Sequence, residues 1–195
     1  MNKTFDFYFD FISPYSFIAH KEIRKIEKKY SIKIKYKPIL LGGLHNLHGI
    51  KAPAFIPAKA KFMIRDCKLV AEKNKIKFKF NSYFPIKSLN LMRGVMIAED
   101  DDIQSFYVDK IFDAIWRDGL NMNDQNIIDK VLKNMEINPK TFFLRASSQH
   151  VKNLLKQKTD NAYERGVFGA PTFLINNKIF WGQDRLIYAL AEASK

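Results

Sequence analysis

The sequence predicts an α/β protein in which two short sheet-forming pieces flank a long helical insertion. Three observations carry this prediction. Apolar and polar residues alternate at 5–11 and 31–39 and again near the C-terminus, as in half-buried strands. From about residue 57 to 165 the apolar residues recur at three- and four-residue spacing, which is helical. The 195 residues, 47% hydrophobic and 14% aromatic, suffice for one substantial core and exclude a disordered chain.

In chain order, residues 5–11 (FDFYFDF) alternate around two aspartates and read as a strand. Ser13-Pro14 supplies an N-cap and a first-turn proline for a helix running to about Tyr30. SIKIKYKPI follows as a second strand, closed by Pro38, and residues 40–57, with three glycines and two prolines, read as a loop. Helices are predicted over 57–74, 88–99, 101–117, 123–134, 139–146 and 147–165, with Ser88, Asn123 and Asn138 as N-caps and KIKFKF as a brief extended piece. The tail gives a strand at 172–176, a turn at Asn176-Asn177, a strand at 178–181 and a helix from about Gln183. Strand-helix-strand, helical insertion, strand-strand-helix is the order of a thioredoxin fold, with residues 1–56 and 166–195 as the thioredoxin-like part and 57–165 inserted. No internal repeat or low-complexity segment interrupts it.

The formal charge of +13 raises the question of nucleic acid. Its lysines are scattered through every segment, and in IKIKYK they alternate with apolar residues as on a solvent-facing strand. That pattern favours solubility and attraction of small anions over a nucleic-acid partner. The N-terminal apolar run is broken by Asp6 and Asp10, and no segment approaches a membrane span, so a soluble, cytoplasmic protein without a membrane partner is expected. Cys67 is the lone cysteine, which excludes an intramolecular disulfide and a CxxC pair, and it reads as a packing residue of a helix. No His, Cys, Asp or Glu spacing makes a metal site; Asp100, Asp101 and Asp102 read as dipole matching at a helix start.

Three constellations carry potential chemistry. Ser13-Pro14-Tyr15-Ser16 stands where thioredoxin-like redox proteins carry Cys-Pro-Tyr-Cys, so disulfide exchange is excluded. Ser13 either caps its helix or donates a hydrogen bond to a thiolate that belongs to a ligand, at a helix start whose dipole favours an anion. Ala170-Pro171, in GVFGAPTF, fits a cis-proline facing that helix start, with an ordinary trans bond as the alternative. In FWGQDRL, Asp184 either caps the last helix or binds an ammonium group while nearby amides take a carboxylate. His45 and His48 add imidazoles that titrate near neutrality, as acid or base or simply solvated.

Taken in order, FYFDFISPYSF, KPILLGG, GVFGAPTF and FWGQDRL resemble the 2-hydroxychromene-2-carboxylate isomerases and the kappa-class glutathione transferases, within the DsbA-like thioredoxin superfamily. The resemblance spans nearly the whole chain. It implies glutathione as cofactor, with Ser13 catalytic at its sulfur, Ala170 and Pro171 along its cysteinyl part, Gly182, Gln183 and Asp184 at its γ-glutamyl end, and Lys59 near its glycyl carboxylate. On the substrate side the chain departs from the pattern. His45 stands in place of an isomerase lysine, Phe55 of an asparagine, Ile50 of a kappa-class asparagine and Ser88 of a substrate tyrosine. The resemblance further implies a homodimer and reversible addition of the thiolate to an unsaturated aromatic keto acid or similar electrophile, under a cover formed by residues 42–58 and the insertion. A transferase that releases its adduct, and a non-catalytic protein that holds extended peptides at the Ala170-Pro171 edge, are the alternatives.

Overall fold

The computed structural model describes residues 3–29 and 32–195. The first strand, β1 (Lys3–Phe9), leads into helix α1 (Pro14–Lys29), and β2 (Ile32–Pro38) returns parallel to β1. The expected end of α1 at Tyr30 and the start of the second strand at Ser31 lie outside the described residues. After the insertion come β3 (Thr172–Ile175) and β4 (Lys178–Trp181), giving a sheet of order β2-β1-β3-β4 in which β3 runs antiparallel to both neighbours. Asn176 and Asn177, both at positive φ, make the tight turn of the β3–β4 hairpin.

The central strand β1 is buried on both faces. Phe5, Phe7 and Phe9 point to one side, where Phe7 stacks on Phe173 at 5.6 Å and meets Tyr36 edge-on. Tyr8 points to the other and packs with Ile39, Leu44, Ala162, Val167 and Leu174. On edge strand β2, Ile34 and Tyr36 are buried while Lys33 and Lys35 are exposed, so the lysine alternation read from the sequence is solvent-facing and protects an open edge.

The expected loop after β2 is instead helix α2 (Leu41–His48), followed by a single 3-10 turn at Pro53–Phe55. Gly42 and Gly43 lower its intrinsic propensity, which is why the sequence reads as irregular. Tertiary contacts override that: Leu44 is buried, the Asp10 carboxylate accepts the Leu41 N–H at 2.8 Å, and Gly49, at φ 65°, closes the helix in the left-handed region.

The insertion comprises α3 (Pro57–Lys73), α4 (Leu89–Asp100), α5 (Gln104–Phe112) widening into a π turn at Asp113–Arg117, α6 (Gln125–Lys133), α7 (Pro139–Ser147) and α8 (Gln149–Glu164). Its main contact is close: a Cβ at Gly94 of α4 would collide with the Tyr107 hydroxyl and the Phe142 ring. One continuous apolar core runs from the sheet through α1 into these helices. The final 3-10 turn Gln183–Arg185 precedes α9 (Leu186–Ala193), slightly later than the expected start.

Several local expectations are corrected. Asn138 does cap α7 through Thr141 N–H, but Asp124, not Asn123, caps α6; Asn123 instead braces the backbone of Tyr83, Pro85 and Lys87. Ser88 has helical φ and makes no side-chain cap. Asp100 ends α4 and only Gln104 opens α5, so the acidic cluster joins two helices; Arg145 holds it, at 2.6 Å from Asp101 and 3.8 Å from Asp100. KIKFKF is not a strand: Lys75 lies in a turn and 76–80 are irregular, outside the sheet. Cys67 is fully buried, and burial pushes its thiol up to about 12, as a packing residue requires.

Candidate active site

The chain leaves β1 at Phe9 and must reverse before α1 begins. Asp10 organises that reversal although its side chain is 1% exposed. Its carboxylate accepts the N–H of Ile12 at 3.1 Å and the N–H of Leu41 at 2.8 Å, with the Ser88 side chain nearby, while its carbonyl accepts the N–H of Ser13 at 3.0 Å. Burial still raises its pKa above the ordinary 3.8, because these donors do not fully replace lost hydration. Phe11 is fixed from the insertion: its N–H meets the Met92 sulfur at 3.3 Å and its carbonyl accepts the Trp116 indole N–H at 2.8 Å.

This platform presents Ser13 at the start of α1, 5% exposed. The helix-cap reading of Ser13 holds, and its hydroxyl also reaches across the fold. Its oxygen accepts the N–H of Ser16 at 3.1 Å, a helix cap, and its hydroxyl donates to the carbonyl of Ala170 at 3.2 Å. Residues separated by 157 positions are thereby joined. The Ala170-Pro171 bond is cis, as the sequence suggested. Ser16, in the place of a second redox cysteine, is fully buried, and its hydroxyl has no partner among the described residues.

The third constellation attaches to the second. Gly182 donates its N–H to the Pro171 carbonyl at 3.0 Å, and at φ 114° it adopts a backbone suited to glycine; a Cβ there would also crowd the Asp184 carboxylate. The turn that follows packs on α1. Asp184 does not cap α9; its carboxylate is exposed and lies 3.0 Å from the Arg185 guanidinium. Gln183 is half-buried beside it. Ser13, Ala170, Pro171 and the 182–184 turn therefore form one rim.

Lys59 lies exposed in the first turn of α3. Seven residues later, on the same helix face, Asp66 accepts the Tyr15 hydroxyl at 2.7 Å, so this face of α3 is anchored to the first turn of α1. Lys59 is set back from that anchor by roughly 10 Å along the axis.

The substrate-side residues separate. Phe55 is 59% exposed, and Ile50 and Leu47 are also exposed. His45 is buried within α2, where burial and the neighbouring His48 lower its pKa and keep it neutral. His48 donates its Nε2–H to the Val167 carbonyl at 2.9 Å and packs on Tyr163, so it is tied to the scaffold. Ser88 is buried beside Asp10 under the reversal rather than exposed at an opening.

Sequence reasoning missed Asp10 as the organiser of the site. An aspartate ending an otherwise aromatic strand three residues before Ser13 was the available signal. Metal chemistry has no set of side chains: no group of three or more His, Cys, Asp or Glu is arranged for a metal among the described residues. Nor is any described helix long and apolar enough to cross a membrane.

Comparison with known proteins places this geometry. The family described as DSBA-like thioredoxin domain matches residues 4–192. The chain is 29% identical over 188 residues to a 2-hydroxychromene-2-carboxylate isomerase of Sphingobium xenophagum, covering 95% of each chain. It is 26% identical over 195 residues to glutathione S-transferase kappa 1 of Caenorhabditis elegans, covering 92% of this chain and 86% of that one. Among solved structures, a 2-hydroxychromene-2-carboxylate isomerase superposes with a TM-score of 0.88 at 25% identity, over 96% of this chain and 93% of the other. The cytosolic disulfide reductase DsbM from Pseudomonas aeruginosa with GSH shares the fold at a TM-score of 0.64 and 13% identity, over 95% and 92%.

Proposed function

The chain belongs to the DSBA-like thioredoxin domain family, and from that premise we propose that it is a glutathione-dependent isomerase of the 2-hydroxychromene-2-carboxylate isomerase type. The observation that carries the reading is the Ser13 hydroxyl, at a helix start, 3.2 Å from the Ala170 carbonyl in a site without cysteine. The similarity to isomerases and kappa-class transferases over nearly the whole chain supports it.

The residues present fit the cofactor. The Ala170 carbonyl already accepts a hydroxyl proton from Ser13, so it is open to a donor on the rim. Exposed Asp184 suits the α-ammonium of the γ-glutamyl end, beside Gly182 and Gln183, and exposed Lys59 suits the glycyl carboxylate. Bound glutathione would supply a thiolate that adds reversibly to the conjugated carbonyl system of the substrate and so allows rotation about a carbon-carbon bond.

The chain's own part is electrostatic. Ser13 exchanges one hydrogen bond for another: its hydroxyl turns from Ala170 toward the sulfur, and the freed carbonyl can accept an amide proton of the ligand. The start of α1 adds its positive dipole end, which lowers the cost of a negative sulfur. Asp10 and Phe11 hold the reversal still, so little reorganisation accompanies the change. On this reading the enzyme is a cytoplasmic homodimer acting on a small electrophile or aromatic keto acid.

One observation favours kappa-type transfer as the second reading. The buried, neutral His45 offers no cation where the resemblance implies a substrate-binding lysine, which suits an uncharged electrophile better than a carboxylate. Calorimetric titration with reduced glutathione tests the common core, and mass spectrometry of the products separates isomerisation from conjugation. Saturable binding that weakens in Asp184→Ala is expected. Absence of binding at millimolar glutathione would overturn both enzyme readings and favour a peptide-binding role at the Ala170-Pro171 edge.

A further inference from the structure

Beyond the Ser13 rim, the later turns of α1, helix α5 with its π turn, and residues 75–77 line an open cleft of about 530 Å³. Its walls carry Lys21, Arg24, Lys25, Lys75, Lys77, Lys110 and Arg117, of which Lys25 is paired with Glu22 at 2.6 Å. These cations fall into two groups. Asp113 holds Lys21 and Arg117 at 2.5 Å each, and Asp109 lies 3.2 Å from Arg24 while also accepting the N–H of buried His20 at 2.6 Å. That half is a fixed, largely neutralised frame. Lys75, Lys77 and Lys110 are exposed, and no carboxylate of the described residues lies within 4.0 Å of any of them.

Three ammonium groups facing one concavity repel one another unless an anion joins them. The backbone adds an independent sign. Lys75, in the turn just after α3, has φ 54°, a left-handed conformation that glycine adopts freely and lysine does not. The chain thus carries a strained residue where glycine would serve the fold better, and its side chain lines the cleft. Phe106, 41% exposed, supplies an aromatic face with Lys110 Nζ 5.4 Å from its centroid.

We propose that this cleft binds a small molecule bearing a diphosphate group. A diphosphate concentrates several negative charges within the reach of three ammoniums, and the volume is that of a small-molecule site. The proposal is independent of the glutathione reading, since it uses none of the rim residues.

Equilibrium titration with inorganic pyrophosphate and with ADP tests it, using intact wild-type protein and the variants Lys77→Glu, Lys110→Glu, Lys75→Gly and, away from the cleft, Lys140→Glu. Saturable binding is expected, weakened at least tenfold by Lys77→Glu and Lys110→Glu and left within about twofold by Lys140→Glu, which changes the net charge equally. Lys75→Gly is expected to weaken binding several-fold while raising Tm by about 2–4 °C, a pairing that a purely structural lysine would not produce. Tighter binding of ADP, lost selectively in Phe106→Ala, assigns a nucleotide; equal binding of both ligands assigns the inorganic anion. Equal weakening by all three charge reversals, no saturation at millimolar ligand, or tighter capture of single-stranded RNA than of either diphosphate would overturn the proposal. Glutathione binding is unaffected by these variants, so the two readings fail separately.

Discussion

Around Ser13 the polar groups, the Ser16 hydroxyl apart, are paired into a framework, whereas the approach along α2, the 53–55 turn and the start of α3 presents Leu47, Ile50, Phe55 and Phe62 to solvent. The first region is buried and held by hydrogen bonds from three parts of the chain. The second is apolar and open. A site that must stabilise a small, localised negative charge gains from donors fixed before the ligand arrives. One that receives a flat, variable acceptor gains from apolar area, which is indifferent to the exact position of the ligand. The contrast teaches that the two regions are built on different physics; if the first holds the thiol and the second the acceptor, as proposed, substitutions in the two should have different signatures.

The largest effect is expected where the framework converges. Asp10→Ala leaves the N–H groups of Ile12 and Leu41 without their buried acceptor. It should cost about 3 kcal/mol of stability, read from urea unfolding, and it should abolish most turnover. An unchanged midpoint would break the comparison at its root. The pH dependence carries a sign of its own. Because burial raises the folded-state pKa of Asp10, its contribution to stability is fully present below the unfolded value of about 3.8 and is lost as pH rises through the folded value. Asp10→Asn, which cannot ionise, should remove that loss from the stability profile.

Next in size is Ser13→Gly. Glycine is nearly as good an N-cap as serine, so stability should change by only a few tenths of a kcal/mol. Losing a hydrogen bond to a charged sulfur should lower thiol-dependent turnover about 10- to 100-fold in steady-state assays. A variant with full turnover would reduce Ser13 to a helix cap. Smaller again is Asp184→Ala: its exposed pair with Arg185 contributes little to folding, while glutathione affinity by calorimetry should fall by roughly tenfold.

The two regions were also unequally legible in the sequence. Period-two and period-3.6 patterns gave the sheet pieces and the insertion, because burial on one face writes itself into residue order. The Ser13, Ala170-Pro171 and Gly182–Asp184 constellations were visible as local motifs, and their meeting on one rim followed from the fold they implied. Helix α2 was not visible, because Gly42 and Gly43 argue against it locally and its supports, Asp10 and the packing of Leu44, are distant in sequence. Asp10 and Ser88 were obscured for the same reason: each looks like a strand-end or cap residue until the fold buries them, with Asp10 reaching Leu41 across 31 positions. Asn123 shows the finer limit, since nothing local distinguishes it as a cap from Asp124, and only the 81–88 segment decides.

The smallest effect, and the sharpest for the comparison, belongs to the open region. Phe55 is 59% exposed on a 3-10 turn, so removing its ring should leave stability within about 0.5 kcal/mol. If the acceptor half works by apolar burial, Phe55→Ala should raise KM for an aromatic acceptor roughly three- to tenfold while kcat and glutathione affinity hold. A fall in kcat at constant KM would instead place Phe55 in contact with the reacting atoms in the transition state. That result would erase the division, because an apolar, exposed side chain would then be doing the work assigned to the paired groups around Ser13.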